Sequence, residues 1–264
     1  MDAVTRKGVL LMGIVFVTFL LLGFLTIIGV FIFNEKTIVV PDEVENIDDA
    51  VSMAEVGDII LVKEKGEPYV ETVTIDTRNI KLIGVGKEKP LLDGMDMLNS
   101  GIIISSTASG VLVKGFIIQD YILGGISISN SDGNMVNGNH CNSNATGINI
   151  ADSNSNKVKG NSCSDNSMNG IELDNSDRNL VEGNEVIGNN NGILLEDDSS
   201  NNNIIRNQAN DNDFDGITIS SNSNENNVFF NRAFFNGNLD IFDDDDNNFK
   251  GNKCENSLPI GLCN

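Results

Sequence analysis

The chain has 264 residues, 40% hydrophobic and 21% charged, with no Trp and a formal net charge of −21. That length holds one or two domains. An acidic balance of this size repels nucleic acid and anionic lipid, so it excludes nucleic acid as a partner and leaves cations, basic partners and plain solubility as its uses.

Residues 8–33 (GVLLMGIVFVTFLLLGFLTIIGVFIF) run for 26 positions without a charge. As a helix rising 1.5 Å per residue they reach about 39 Å, enough to cross a bilayer with some tilt. A cleaved signal peptide has a shorter apolar core, about 7–15 residues, that ends at small residues. This run ends in Phe31, Ile32 and Phe33 and reads as an uncleaved anchor. Arg6 and Lys7 precede it, while only Lys36 follows closely among several acids. The positive-inside bias then keeps residues 1–7 in the cytoplasm and puts the rest beyond the cytoplasmic membrane, at the cell surface or in the periplasm. The external part carries 37 acids against 15 bases, a net charge of −22. Further along, Ile47, Ala50, Val51 and Ala54 fall on one helical face, with Asn46 placed to cap the N-terminus.

From residue 101 onward the chain repeats. Gly followed by an apolar-x-apolar triplet recurs at Gly101, Gly125, Gly147, Gly170, Gly192 and Gly216, with a degenerate copy at Asp240, in steps of 22–24 residues. Each copy from the second onward is followed by a block such as NMVNGN, NKVKGN or NLVEGN, ending at Asn139, Asn161, Asn184, Asn207, Asn231 and Asn252. Both blocks alternate with the two-residue period of a strand buried on one face. A unit this short, holding two or three strands separated by Asn, Ser, Asp and Gly turns, is one coil of a parallel solenoid. Coils stack about 4.8 Å apart, so equivalent residues form columns.

One column reads Val136, Val158, Val181, Ile204, Val228 and Phe249, and another Cys141, Cys163, Val186, Ala209, Ala233 and Cys254. Both are predicted to face the core. The terminal Asn of each block lies an even step from the second column, so these six amides point inward and satisfy one another in a ladder. Asn144, Asn166, Asn189, Asn212 and Asn236 make either a second ladder or a row of left-handed turns. In the earlier coils Phe116 stands where the ladder would be, so the core there is apolar.

Residues that tempt a chemical reading mostly belong to the repeat. His140, the lone His, shares its column with Ser162, Glu185, Gln208, Arg232 and Lys253 and faces solvent without a carboxylate partner. Cys141 and Cys163 occupy adjacent coils at a separation a disulfide can bridge, or stay as two buried thiols. Cys254 and Cys263 can staple the last loop. Asp243, Asp244, Asp245 and Asp246 form the acidic turn best suited to Ca²⁺, against the simpler reading of a solvated turn. No other cofactor is expected. Asn144-Ala145-Thr146 fits the N-glycosylation triplet, but its Asn belongs to a structural column.

The repeated NxVxGN and GIxI units over 101–252, with the segment TIVVPDEVENIDDAVSMAEVGDIILVKEKGEPYVETVTI at 37–75, make the chain resemble right-handed parallel β-helix proteins of the pectin-lyase-like class. Within that class it is most similar to the NosD-type and carbohydrate-binding/sugar-hydrolase repeats. The resemblance implies a strand at 38–40, a capping helix at 47–54, Gly57-Asp58, a strand at 59–62 and Tyr69-x-Glu71. The expected architecture is all-β, with a single-stranded right-handed parallel β-helix of about eight coils. Its divisions are 1–7 inside, 8–33 as the transmembrane helix, 34–57 as leading strand and capping helix, 58–252 as the β-helix and 253–264 as the closing segment. In function the resemblance implies a membrane-anchored surface scaffold that binds polysaccharide. Alternatives are a polysaccharide lyase, epimerase or hydrolase, and a NosD-like accessory to copper-enzyme maturation, for which one His and scattered Met are poor ligands. Arg178, Arg206 or Arg232 sharing a cleft with carboxylates would favour the enzyme.

Overall fold

The computed structural model of the protein describes residues 35–263, and Glu35–Asn264 form one compact unit with a core of its own. The apolar run 8–33 and its orientation lie outside the described residues. Among the described residues no helix is long and apolar enough to cross a membrane. The chain winds as a right-handed parallel β-helix whose strands collect into a ten-stranded, a six-stranded and a nine-stranded sheet. One coil visits each in turn, as in Met135–Asn137, His140–Asn142 and Thr146–Ala151, and the next coil pairs with it in parallel register. There are about nine turns, more than the expected eight. The difference is physical: Thr37–Val40 pairs in full register with Ile59–Lys63, so the leading segment is itself a turn of the solenoid.

The predicted core columns are buried. Val136, Val158, Val181, Ile204 and Val228 are fully inside, as are Cys141, Cys163, Val186, Ala209 and Ala233, whereas Phe249 and Cys254 in the last coil are only partly covered. Burying side chains of this size stabilises by roughly 1.5–3 kcal/mol each. The polar rows make such a core tolerable at the bends. Asn139 donates its backbone N–H (2.9 Å) and Nδ2 (3.2 Å) to Oδ1 of Asn161, and its Nδ2 also reaches the carbonyl of Val113 at 3.2 Å. The same pattern repeats from Asn161 to Asn184 and from Asn231 to Asn252. The Asn144 series is a second ladder, with Asn144 donating to Asn166 and to the carbonyl of Ile118. A third, through Asn134, Asn156, Asn179, Asn202 and Asn226, uses the first Asn of each NxVxGN block, and a serine row beside it runs through Ser131, Ser153, Ser176, Ser199 and Ser223. Two rows end on carboxylates, Asn236 on Asp240 (2.9 Å) and Asn247 on Asp243 (2.7 Å).

The glycine opening each GIxI strand is required by this packing. A Cβ on Gly147 would lie 2.6 Å from the carbonyl oxygen of Gly170 and 3.0 Å from Nδ2 of Asn166, so no side chain fits without moving the neighbouring coil.

The helix Ile47–Met53 buries Ile47, Ala50 and Val51 over the N-terminal end of the solenoid. Asn46 occupies the cap position but makes no side-chain cap; its amide bonds Asp49 instead. The cap comes from Glu71, whose two carboxylate oxygens accept from the N–H groups of Ile47 (3.0 Å) and Asp48 (2.8 Å). A carboxylate outcompetes an amide here because it accepts both orphan donors and carries the charge that the helix N-terminus favours.

Candidate functional site

On the nine-stranded sheet, the side chains between the core positions of each GIxI strand point outward. They stack as Ser127, Asn149, Glu172, Leu194 and Thr218, and a neighbouring column holds Ser129, Ala151, Asp174 and Glu196. A continuous polar network follows the axis along this face. Glu172 accepts from the Asn169 amide (2.8 Å) and from the Thr146 hydroxyl (3.3 Å). Asn191 donates to Oδ1 of Asn169 at 3.0 Å and accepts from the backbone N–H of Asp215 at 3.4 Å. Asp215 in turn accepts from the Thr218 hydroxyl (3.1 Å) and the Asn238 amide (2.8 Å).

Within the network Glu196 is pushed up to about 7, first by burial and then by the charge of Glu172 and its hydrogen bond to that residue. Asp174 beside it is also raised, by burial and then by the charges of Asp197, Glu172 and Asp152. Near neutral pH Glu196 is therefore only partly ionised. Oδ1 of Asn149, the register partner of Glu172, is buried without a hydrogen-bond donor. Chemically the face offers carboxyl, amide and hydroxyl groups repeating every coil, a surface that exchanges hydrogen bonds with hydroxyls.

The other sequence-predicted residues fall elsewhere. His140 is exposed on the six-stranded sheet between Ile117 and Ser162, and its basicity is lowered by burial and by Lys89 against an opposing pull from Glu185. Arg206 lies 3.4 Å from Glu182, which also pairs with Lys159 at 2.8 Å, so this is a surface ion pair rather than a cleft. Arg232 stacks over Phe234 at 4.8 Å, and Arg178 lies in a left-handed turn. Asn144 is buried, its amide held within the ladder. Cys254 and Cys263 are bonded, with Cα atoms 5.2 Å apart. Cys141 and Cys163 are free, buried register partners, and the hydrogen bond from Cys141 together with burial pushes the Cys163 thiol well up.

The four aspartates do not converge. Asp243 accepts from Asn247 and Asp245 accepts from the backbone of Asn222, while Asp244 and Asp246 are exposed. Among the described residues no group of three His, Cys, Asp or Glu is placed to hold a metal ion. The donors that suit copper fit no better. The one His faces outward, and the two free thiols are sealed in the core, where the Cys163 thiol is pushed well up although a metal needs the thiolate.

Sequence reasoning missed Glu172 and Glu196, whose only signal was the residue between the two apolar positions of GIEL and the one directly after the triplet in GILLE. It also missed the Glu71 cap, because the partner lies 24 residues from the helix.

Residues 74–261 match the family model described as periplasmic copper-binding protein (NosD). Among curated proteins none matches. Solved structures share the fold at low identity. The periplasmic alginate epimerase AlgG is 18% identical over 83% of this chain and 55% of that one, with a TM-score of 0.59. Pectate lyase Pel9A is 12% identical over 80% and 72%, with a TM-score of 0.55. PfbA, a surface adhesin of Streptococcus pneumoniae, is 14% identical over 72% and 57%, also with a TM-score of 0.55. The chain thus spans little more than half the length of the epimerase and the adhesin.

Proposed function

The chain belongs to the family of the periplasmic copper-binding protein NosD, and from that premise we propose that it is an extracytoplasmic binding scaffold whose nine-stranded face holds a hydroxyl-rich polysaccharide. The N-terminal apolar run anchors it in the cytoplasmic membrane with residues 1–7 inside. The observation that carries the reading is the hydrogen-bonded chain through Thr146, Glu172, Asn169, Asn191 and Asp215. Its members lie on successive coils about 4.8 Å apart, with Thr146, Asn169 and Asp215 buried beneath the partly exposed Glu172 and Asn191. A periplasmic family and solved neighbours that include a lyase, an epimerase and an adhesin support the same reading. The strands of this sheet carry no Lys or Arg. That composition favours a neutral glycan over an acidic one and gives a developing anion no cationic partner, which places binding ahead of catalysis.

The test is a glycan-array screen of residues 35–264 with and without Ca²⁺, followed by titration of the best ligand against the Glu172→Ala/Asn191→Ala variant. Binding should fall at least tenfold in the variant, consistent with losing two hydrogen-bonding side chains at roughly 1 kcal/mol each. Unchanged binding in the variant, or an array without a ligand, would remove the polar face from the account.

A further inference from the structure

Charge is segregated by sheet. The strands of the ten-stranded sheet carry six lysines, Lys63, Lys81, Lys114, Lys157, Lys159 and Lys250, and a single acid, Glu182. The nine-stranded sheet carries the opposite: Glu172, Asp174, Glu196 and Asp243 without a base. In a domain of net charge −22, a basic face of this extent is a local reversal. Near the N-terminal end Lys63 and Lys81 are paired with Asp42 and Glu35. Further along, Lys114, Lys157 and Lys250 are exposed, and Lys159 and Arg206 flank Glu182 from both sides.

The outward rows of this sheet mix the lysines with apolar and amide side chains. One outward row runs Leu112, Met135, Lys157, Leu180, Asn203, Asn227 and Asn248, and the next Lys114, Asn137, Lys159, Glu182, Ile205, Phe229 and Lys250. At the edge of this face Phe230 is 49% exposed in a left-handed backbone (φ 59°), where earlier coils have Gly138, Gly160 and Gly183. A bulky side chain in that conformation is strained, yet it keeps its ring outside, about 6.0 Å from the Arg206 guanidinium.

We propose that the outer face of the ten-stranded sheet is a docking surface for an anionic lipid bilayer. Charge complementarity selects the anion, and the apolar side chains interspersed among the lysines select the bilayer. Leu112, Met135, Leu180 and Ile205 have no hydrogen-bonding groups to offer sugar hydroxyls, whereas a membrane interface accepts lysine ammonium groups and apolar side chains together. Ten stacked strands extend about 43 Å, giving a long contact rather than a point. Packed sheets lie roughly 10 Å apart, and outward side chains add to that, so the acids of the nine-stranded sheet stand more than a Debye length of about 8 Å from the docked face. The repulsion from those four acids is thereby screened at contact. This surface is opposite in charge to the proposed glycan face, and neither depends on the other.

The test is co-sedimentation of residues 35–264, a compact unit with its own core, with vesicles of phosphatidylcholine alone and of phosphatidylcholine with phosphatidylglycerol. The protein should sediment with the anionic vesicles only, and less as salt is raised. The Lys114→Glu/Lys157→Glu/Lys250→Glu variant should lose on the order of a hundredfold in affinity, about fivefold per lysine. Lys36→Glu/Lys65→Glu/Lys87→Glu, equal in net charge but placed off this sheet, should bind like the parent. Equal binding to both vesicle types, binding to neither, or equal losses in the two variants would overturn the proposal. Capture of soluble polygalacturonate through the same lysines, without vesicle binding, would assign the face to an acidic glycan and refute the bilayer. Circular dichroism checks that both variants fold, and the salt dependence of the parent tests the reading without any substitution. The neutral-glycan titration uses no vesicles, so the two readings fail separately.

Discussion

At the scale of the residue, position within a coil decides what a side chain does. Asn184 accepts at Oδ1 from the backbone N–H and the Nδ2 of Asn161, and donates to Asn207 and to the carbonyl of Val158. Asn184→Leu keeps the volume roughly but strands several buried polar groups, each worth about 1–3 kcal/mol. Urea unfolding should show a loss of ~3–5 kcal/mol, while His140→Ala on the exposed column should change stability by no more than ~0.5 kcal/mol. Glu196 makes a second prediction. Its folded pKa of about 7 lies above the usual value of 4.5, so between those values the native state holds a proton that the unfolded chain has released. Stability therefore falls as pH rises through that window. Asp174, raised as well, adds in the same direction. The urea midpoint should be higher near about pH 5 than near about pH 8, and Glu196→Gln should flatten the difference; an unchanged slope in that variant would dissociate Glu196 from the effect. The inward Asn was legible in the sequence because every coil repeats it. The carboxyl pair was not, since Glu172 meets Glu196 only once the register of adjacent strands is known.

At the scale of the element, the capping helix shows what local pattern can and cannot supply. The spacing of Ile47, Ala50 and Val51 located the helix to within a residue, because amphipathic period is a local property. Its cap is non-local: Asn46 has the right chemistry and position, yet Glu71 holds both N–H groups. Glu71→Ala should cost about 1–2 kcal/mol of stability, with faster hydrogen exchange confined to Ile47–Met53. Asn46→Ala, which loses only the exposed bond to Asp49, should be milder; the reverse ranking would restore the local cap. The short strands tell the same story from the other side. With two to six residues each they have little strength alone, and they were recognisable only because their copies repeat at 22–24 residues.

At the scale of the whole molecule, the net charge of the sequence concealed an arrangement. A total of −22 after the apolar run predicted repulsion from every anionic surface, but stacking sorts six lysines onto one sheet and four acids onto another. Composition cannot reveal this, since the sorting depends on which strand of each coil carries the charge. The amide ladders hold another whole-molecule property. In each, the backbone N–H of every Asn points to the Oδ1 of the next coil's Asn, while one Nδ2 hydrogen reaches back to a carbonyl of the preceding coil. Every row is thus a line of aligned dipoles with its positive pole at the C-terminal end, the solenoid counterpart of a helix macrodipole. Asp240 and Asp243 sit at that pole, where an anion is most favoured. Asp243 thereby gains an electrostatic reason for its place in the acidic turn that needs no bound cation. The rows also give the solenoid a direction of growth. A whole coil inserted upstream extends every dipole in phase, whereas a part of a coil would put donors against donors.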